Sequence, residues 1–146
     1  MSDLAKKLGI KSGHVVCLLE ATPETAALLR QACPGGARLY DRAYEGRCDI
    51  LMFWPSQLDG LAELFARLQY QIVPAGAIWA VIPKKPFARA RGIEFSWAEL
   101  QAAGLRTDLV DNKIVSLGDE EYATRFVIRK DRRSDYACSA GPGGFI

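Results

Sequence analysis

Short, continuously apolar runs separated by amphipathic stretches organise this chain. The first run, Val16 to Leu19 with Glu20 at its end, predicts a buried strand over 14–20. Ahead of it, residues 3–9 predict a short helix that stops at Gly9, with a turn at Lys11-Ser12-Gly13. After it, Thr22 stands as an N-cap and Pro23 takes the first helical position, where a missing N–H costs nothing. The helix predicted over 23–33 ends at Pro34-Gly35-Gly36. Strands follow at 37–41 and 49–54, joined by the short loop Tyr44-Glu45-Gly46-Arg47.

Ser56, with Asp59 three residues on, reads as a weak capping box. Leu58, Leu61, Phe65, Leu68 and Ile72 recur at three- and four-residue steps and predict one helical face, closed by Pro74-Ala75-Gly76. The run 77–82 is apolar throughout, as expected of a strand covered on both faces. Ser96-Trp97-Ala98-Glu99 is a stronger capping box, and Gly104 fits the stop of that helix. Two strands at 109–117 and 122–129, with the turn Gly118-Asp119-Glu120-Glu121 between them, predict an antiparallel hairpin. Strands alternating with helices imply a three-layer, Rossmann-like α/β fold, with a mostly parallel sheet of about six strands that the hairpin closes. Residues 1–131 read as one domain. The tail 132–146, with Ser-Ala-Gly-Pro-Gly-Gly, reads as a flexible extension.

Composition narrows the function classes. The chain has 146 residues, 49% of them hydrophobic, enough for one packed core. A net charge of +2 gives no global field of the kind that draws nucleic acid or membrane. No run approaches the roughly 20 apolar residues of a membrane span. The opening residues lack the apolar core of a signal peptide, so the cytoplasm is the expected location. The cysteines Cys17, Cys33, Cys48 and Cys138 form no C-x-x-C pair, and His14 is the only histidine, which argues against a zinc site. Cys17 and Cys48 lie in or beside apolar runs and read as small core residues.

Parallel α/β order with a terminal hairpin resembles the class I methyltransferases, which bind S-adenosylmethionine. Leu8 to Glu20 is similar to their first strand and its approach, Cys48 to Trp54 to the strand before their catalytic loop, and Leu68 to Pro83 to their helix, turn and strand. A nearer resemblance is to the bacterial family catalogued as domain of unknown function 3052, whose members look like shortened methyltransferase folds. Leu8, Gly9, Lys11 and Gly13 match its opening; Trp79, Pro83, Lys84 and Lys85 its central strand; Gly104-Leu105, Asp111, Lys113 and Phe126-Val127 its closing part.

This chain departs from the methyltransferase pattern in three places and keeps one candidate match. The turn after the first strand, glycine-rich in that family, is Ala21-Thr22-Pro23-Glu24, and Pro23 removes a backbone donor. Asp41 could stand for the acid that holds the cofactor's ribose. A whole helix–strand unit is missing between Asp41 and Asp49. No Asp-Pro-Pro-Tyr-like loop follows Trp54.

Candidate ligand-binding residues follow from position. Lys84, Lys85, Arg89 and Arg91 come after a buried strand, at the carboxyl end of the sheet, where open α/β sheets bind ligands. No acid lies between Glu63 and Glu94 to neutralise them. Glu20 and Asp41 end the first two strands, and Trp54 sits just past the third, on the same rim. A second basic stretch, Arg125, Arg129, Lys130, Arg132 and Arg133, reads as a solvated end. Aromatic residues are not interleaved with it as on nucleic-acid platforms. No residue is assigned a catalytic or metal-binding role.

Two functions compete. The first is a non-catalytic methyltransferase-like binding or interaction module that has lost the S-adenosylmethionine loop and so carries no cofactor. The second is an enzyme or ligand-binding protein with an altered pocket, a divergent methyltransferase among them, using the basic loop on an anionic ligand. The expected partner is a small anion or a protein, with self-association open, and not nucleic acid or membrane. Pocket geometry discriminates: Glu20, Asp41, Trp54 and Lys84 lining one concave site would favour the second.

Overall fold

The computed structural model of the chain describes residues 3–41 and 44–137. Its centre is a six-stranded sheet of order β2-β1-β3-β4-β6-β5. The strands are β1 (Val15–Leu19), β2 (Arg38–Tyr40), β3 (Cys48–Phe53), β4 (Ile72–Pro83), β5 (Leu109–Ser116) and β6 (Glu121–Ile128). The first four are mutually parallel, and β6 runs antiparallel to both β4 and β5. The hairpin thus closes the parallel sheet, as the turn at Gly118-Asp119-Glu120-Glu121 predicts. β2 is the edge strand beside β1, and the chain passes from it directly to β3 on the other side of β1. No further helix–strand unit extends that edge among the described residues.

Side-chain alternation along the strands builds two cores. Ala77, Trp79 and Val81 of β4 face α1 (Asp3–Leu8) and α2 (Pro23–Ala32), with Val16 and Leu18 of β1. Ile78, Ala80 and Ile82 face α3 (Leu61–Leu68) and α5 (Trp97–Leu105), with Leu51 and Phe53 of β3. An unbroken apolar run is what a strand needs when helices cover both its faces. The Trp79 indole N–H donates to the Leu8 carbonyl at 3.1 Å and fixes the end of α1 against the sheet. The Trp97 indole N–H donates at 2.8 Å to the hydroxyl of fully buried Thr124, which satisfies that polar group.

Several boundaries differ from expectation, each for a physical reason. Ser56 caps nothing: Gly60, at φ 78°, precedes the first turn of α3, and the left-handed residue sets its start. Leu61, Phe65 and Leu68 form its buried face, Leu58 stays outside, and Ile72 opens β4 instead. Pro74-Ala75-Gly76 does not end a segment. β4 runs through it as a bulge, since Cys48 pairs with Ile72 but Ile50 already pairs with Ala77. The stretch after Lys84 is not a loop but a short helix, α4 (Lys85–Ala90), with Pro86 in its first turn. Gly104 lies inside α5, not after it. The capping box of α5 is present, with both Ser96–Glu99 bonds made.

Cys17 and Cys48 are buried in the core as expected, but their sulfurs face each other as a disulfide between β1 and β3, with Cα atoms 6.3 Å apart. The first residues of the expected tail are ordered. After a 3₁₀ turn (Lys130–Arg132), α6 (Arg133–Ala137) packs against β4 and buries Tyr136 in the core on that face of the sheet. Residues 138–146, Cys138 with them, lie outside the described residues. No helix among the described residues is long and apolar enough to cross a membrane.

Candidate functional site

The carboxyl ends of β1 to β4 carry Glu20, Asp41, Trp54 and Lys84, and the start of β6 joins them because Pro83 pairs with Glu121. Two open clefts cross this edge. One, of about 450 Å³, runs toward the start of α3 past Pro55, Gln57 and Gly60. The other, of about 720 Å³, lies between the start of α2 and the hairpin turn. Glu20 and Trp54 line both, so they form the saddle between them.

Glu20 has φ 68°, the only positive φ on a non-glycine residue among those described. A side chain there costs about 1–2 kcal/mol relative to the right-handed region. The turn after β1 therefore takes a left-handed step that glycine makes freely, and takes it with a carboxylate. The next residues close the start of α2 on itself. The Thr22 hydroxyl accepts the Thr25 N–H at 3.2 Å, and the Thr22 carbonyl accepts the Ala26 N–H at 2.9 Å. Pro23 has no N–H to offer. A helix N-terminus normally presents such donors to an anionic ligand; here they are largely used within the chain.

The predicted cations are placed differently from one another. Lys84 Nζ donates to the Ser116 hydroxyl at 2.9 Å and to the Gly118 carbonyl at 2.8 Å. Arg91 Nη1 donates to Glu121 Oε2 at 2.9 Å and Nη2 to Glu120 Oε1 at 2.6 Å. The hydrogen bond to Glu121 leads in raising the Arg91 pKa still further. Lys84 and Arg91 thus hold the hairpin turn, and Arg91 is neutralised by it. Lys85 and Arg89 are exposed on α4 and line neither cleft. Asp41 lines neither and pairs with Arg30 at 3.6 Å. Of the four residues that would have marked one concave site, the structure brings together Glu20 and Trp54 and leaves Asp41 and Lys84 aside.

Sequence reasoning missed the acids of the hairpin turn. Asp119, Glu120 and Glu121 line the larger cleft with Glu20, so four carboxylates face one guanidinium, Arg91. Glu20 and Asp119 have no ion-pair partner among the described residues. The edge expected to be basic is therefore acidic on this side. No group of three or more His, Cys, Asp or Glu side chains that could hold a metal ion occurs among the described residues.

No protein-family model matches the chain, and no curated protein matches its sequence. Solved structures do match its fold. The crystal structure of the PH0226 protein from Pyrococcus horikoshii OT3 is similar with a TM-score of 0.54 at 11% identity, over 86% of each chain. A TehB-like S-adenosylmethionine-dependent methyltransferase from Corynebacterium glutamicum is similar with a TM-score of 0.51 at 13% identity, over 83% of each chain. Geranyl diphosphate C-methyltransferase from Streptomyces coelicolor A3(2) gives 0.59 at 12% identity, over 86% of this chain and 73% of that one. Together with the six-stranded, mostly parallel sheet and its terminal hairpin, these likenesses give the chain a Rossmann-like α/β fold of the class I methyltransferase type.

Proposed function

We propose that this chain is a non-catalytic binding module on a methyltransferase-type scaffold, and that the carboxyl-edge cleft between α2 and the hairpin turn receives a cationic group of its ligand or partner. The observation that carries this reading is the self-closed turn after β1: Thr22 caps α2, Pro23 lacks an N–H, and Glu20 stands where glycine would leave room. S-adenosylmethionine, the cofactor this fold implies, would need backbone donors for its carboxylate and a free acid for its ribose. Glu24 in the first turn of α2 adds a negative charge beside that carboxylate's place, and Asp41 already faces Arg30. The residues present do not fit that group. Glu20 and Asp119, the two carboxylates of this cleft without an ion-pair partner among the described residues, fit an amine or guanidinium beside Trp54 instead, which both charge and an aromatic face attract. The same reading keeps the chain with the domain of unknown function 3052 proteins.

A divergent methyltransferase is the second reading, supported by the fold likeness and by the left-handed step at Glu20, which keeps the turn in a glycine-like shape. Calorimetric titration separates the two. The binding-module reading expects no heat from S-adenosylmethionine or S-adenosylhomocysteine up to millimolar ligand, and binding of spermidine that Glu20→Gln weakens. Micromolar binding of either nucleoside would overturn it in favour of the methyltransferase. Spermidine binding unaffected by Glu20→Gln would remove the acidic cleft from the proposal.

A further inference from the structure

The amino edge of the sheet, opposite the clefts above, carries a second concave surface of about 450 Å³ between the end of α1 and the β5–β6 hairpin. Lys7, Lys11, Lys113 and Arg125 line it, against one carboxylate, Asp49. We propose that this groove is a binding site for a small phosphorylated anion, a phosphomonoester or diphosphate. The proposal does not rest on the reading of the carboxyl edge.

Three observations carry it. First, the cations are in excess, four against the single carboxylate of Asp49. None of the four makes an ion pair among the described residues, and Asp49 Oδ2 is taken by the Val15 N–H at 2.8 Å. Arg125 is half-buried, and the one hydrogen bond its side chain makes among the described residues is to the Asn112 side-chain oxygen at 3.3 Å. Burial and the nearby charge of Arg133 lower its pKa. Second, Lys113 and Arg125 are direct cross-strand partners in the hairpin. Like charges in that relation repel and destabilise a sheet, so folding alone gives no reason to place them together. An anion between them turns the repulsion into attraction. Third, the groove offers donors and few competing acceptors. The last carbonyls of α1 are all occupied: Ala5 by the Ile10 N–H, Lys6 by the Gly9 N–H, Lys7 by Lys113 Nζ and Leu8 by the Trp79 indole. His14 Nδ1 accepts the Lys11 N–H at 3.1 Å, so this acceptor too is occupied within the chain.

The class of anion follows from the lining. Arginine and lysine together suit phosphate oxygens, one by a planar fork and the other as a mobile point charge. The remaining walls are mainly aliphatic, with Leu8, Ile50 and Ala77, and His14 is the one ring among them, with no Phe, Tyr or Trp to form a platform on which successive bases of a single strand would stack. A small phosphorylated molecule fits this better than a polynucleotide.

The test is calorimetric titration of the full chain with sodium pyrophosphate and with inorganic phosphate, at constant ionic strength. Single-site binding is expected, pyrophosphate tighter than phosphate, and Lys113→Gln and Arg125→Gln should each weaken it at least about tenfold. The double variant Lys7→Gln/Lys11→Gln, on exposed positions, should weaken it as well and keeps the test open if Arg125→Gln folds poorly. Lys85→Gln/Arg89→Gln removes the same charge from the other edge and should leave binding unchanged. Absence of binding, or equal weakening by Lys85→Gln/Arg89→Gln, would overturn the proposal. So would a short RNA that binds through Lys113 and Arg125 more tightly than pyrophosphate, which would assign the groove to a polynucleotide.

Discussion

Arg91 and Glu121 are joined across 30 residues of sequence by a hydrogen bond of 2.9 Å between Nη1 and Oε2, and the other arm of the same guanidinium reaches Glu120 at 2.6 Å. The fork ties the end of α4 to the start of β6. Arg91 is substantially exposed, so solvent and salt screen much of the attraction. Arg91→Ala is expected to cost only about 0.5–1 kcal/mol of global stability, with a smaller cost at high salt. Its larger effect should be local, as faster amide hydrogen exchange in α4. Unchanged exchange there would mean that Pro86 and the sheet alone hold the helix.

Lys84 and Lys85 are neighbours with different duties. Lys84 Nζ pins the hairpin turn through Ser116 and Gly118, while Lys85 is exposed on α4. Lys84→Ala should lower stability by about 1 kcal/mol, the usual worth of hydrogen bonds from a charged donor at a partly exposed site. Lys85→Ala should lie within about 0.5 kcal/mol of the parent. Urea unfolding of the two single variants decides it, and equal midpoints would sink the distinction.

Glu20 pays for its left-handed backbone with its own side chain. Glu20→Gly should therefore raise stability by about 1 kcal/mol while weakening any cation bound at the carboxyl edge. A rise in melting temperature together with a loss of spermidine binding is the expected pair of results. A fall in melting temperature would show that the carboxylate stabilises the turn more than the backbone strains it.

Much of the architecture was legible because it is written in local patterns. The apolar runs around Val16, Leu51 and Ile78 mark strands, and Ser96 with Glu99 marks the start of α5. The alternation of strands with helices and the terminal hairpin followed from these patterns, whereas the order β2-β1-β3-β4-β6-β5 across the sheet did not. What could not be read depends on register. Pro74 and Gly76 look like punctuation, yet a bulge against Cys48 absorbs them. Cys17 and Cys48 carry no spacing signal and meet only because β1 pairs with β3. At the site, Glu20 and Trp54 were legible as strand ends. The acids that surround them were not, because Glu120 and Glu121 reach the basic stretch only through the pairing of Pro83 with Glu121. The groove at the other edge is assembled from Lys7, Lys11, Lys113 and Arg125, which lie more than a hundred residues apart at the extremes. Asn112 faces solvent beside the register shift that lets Lys113 oppose Arg125, and simple alternation along β5 does not predict which face the lysine takes.

Gly104 is the next-to-last residue of α5, still within the helix, where glycine is a poor helix former. A Cβ there would collide with the ring of Phe126, which is fully buried and packed 4.8 Å from Phe65. Gly104→Ala gains about 1 kcal/mol of helix propensity, but overpacking a rigid core typically costs 1–3 kcal/mol, so roughly the larger figure should govern. A net loss of stability is expected. A more stable variant would mean that the Phe126 ring can give way.

Tyr136 is expected to set the alkaline limit of stability. It is 2% exposed, and its hydroxyl donates to Asp108 Oδ2 at 2.7 Å. Burial first, and then that hydrogen bond to a carboxylate, hold its phenol far above the ordinary range. Burial also raises Tyr122. In the unfolded chain both titrate near pH 10. Below that pH each is neutral in both states and contributes nothing to the pH dependence. Above it the unfolded chain releases protons that the folded chain keeps, so stability falls with rising pH by up to about 1.4 kcal/mol per unit for each group. Tyr136→Phe loses the bond to Asp108 and should be about 1 kcal/mol less stable at neutral pH. Between about pH 10 and 12 its stability should decline less steeply than that of the parent, because one of the two groups no longer titrates. Urea unfolding across that range measures both slopes. Parallel declines would mean that Tyr136 ionises as readily in the folded chain as in the unfolded one, and that its burial does not govern the alkaline transition.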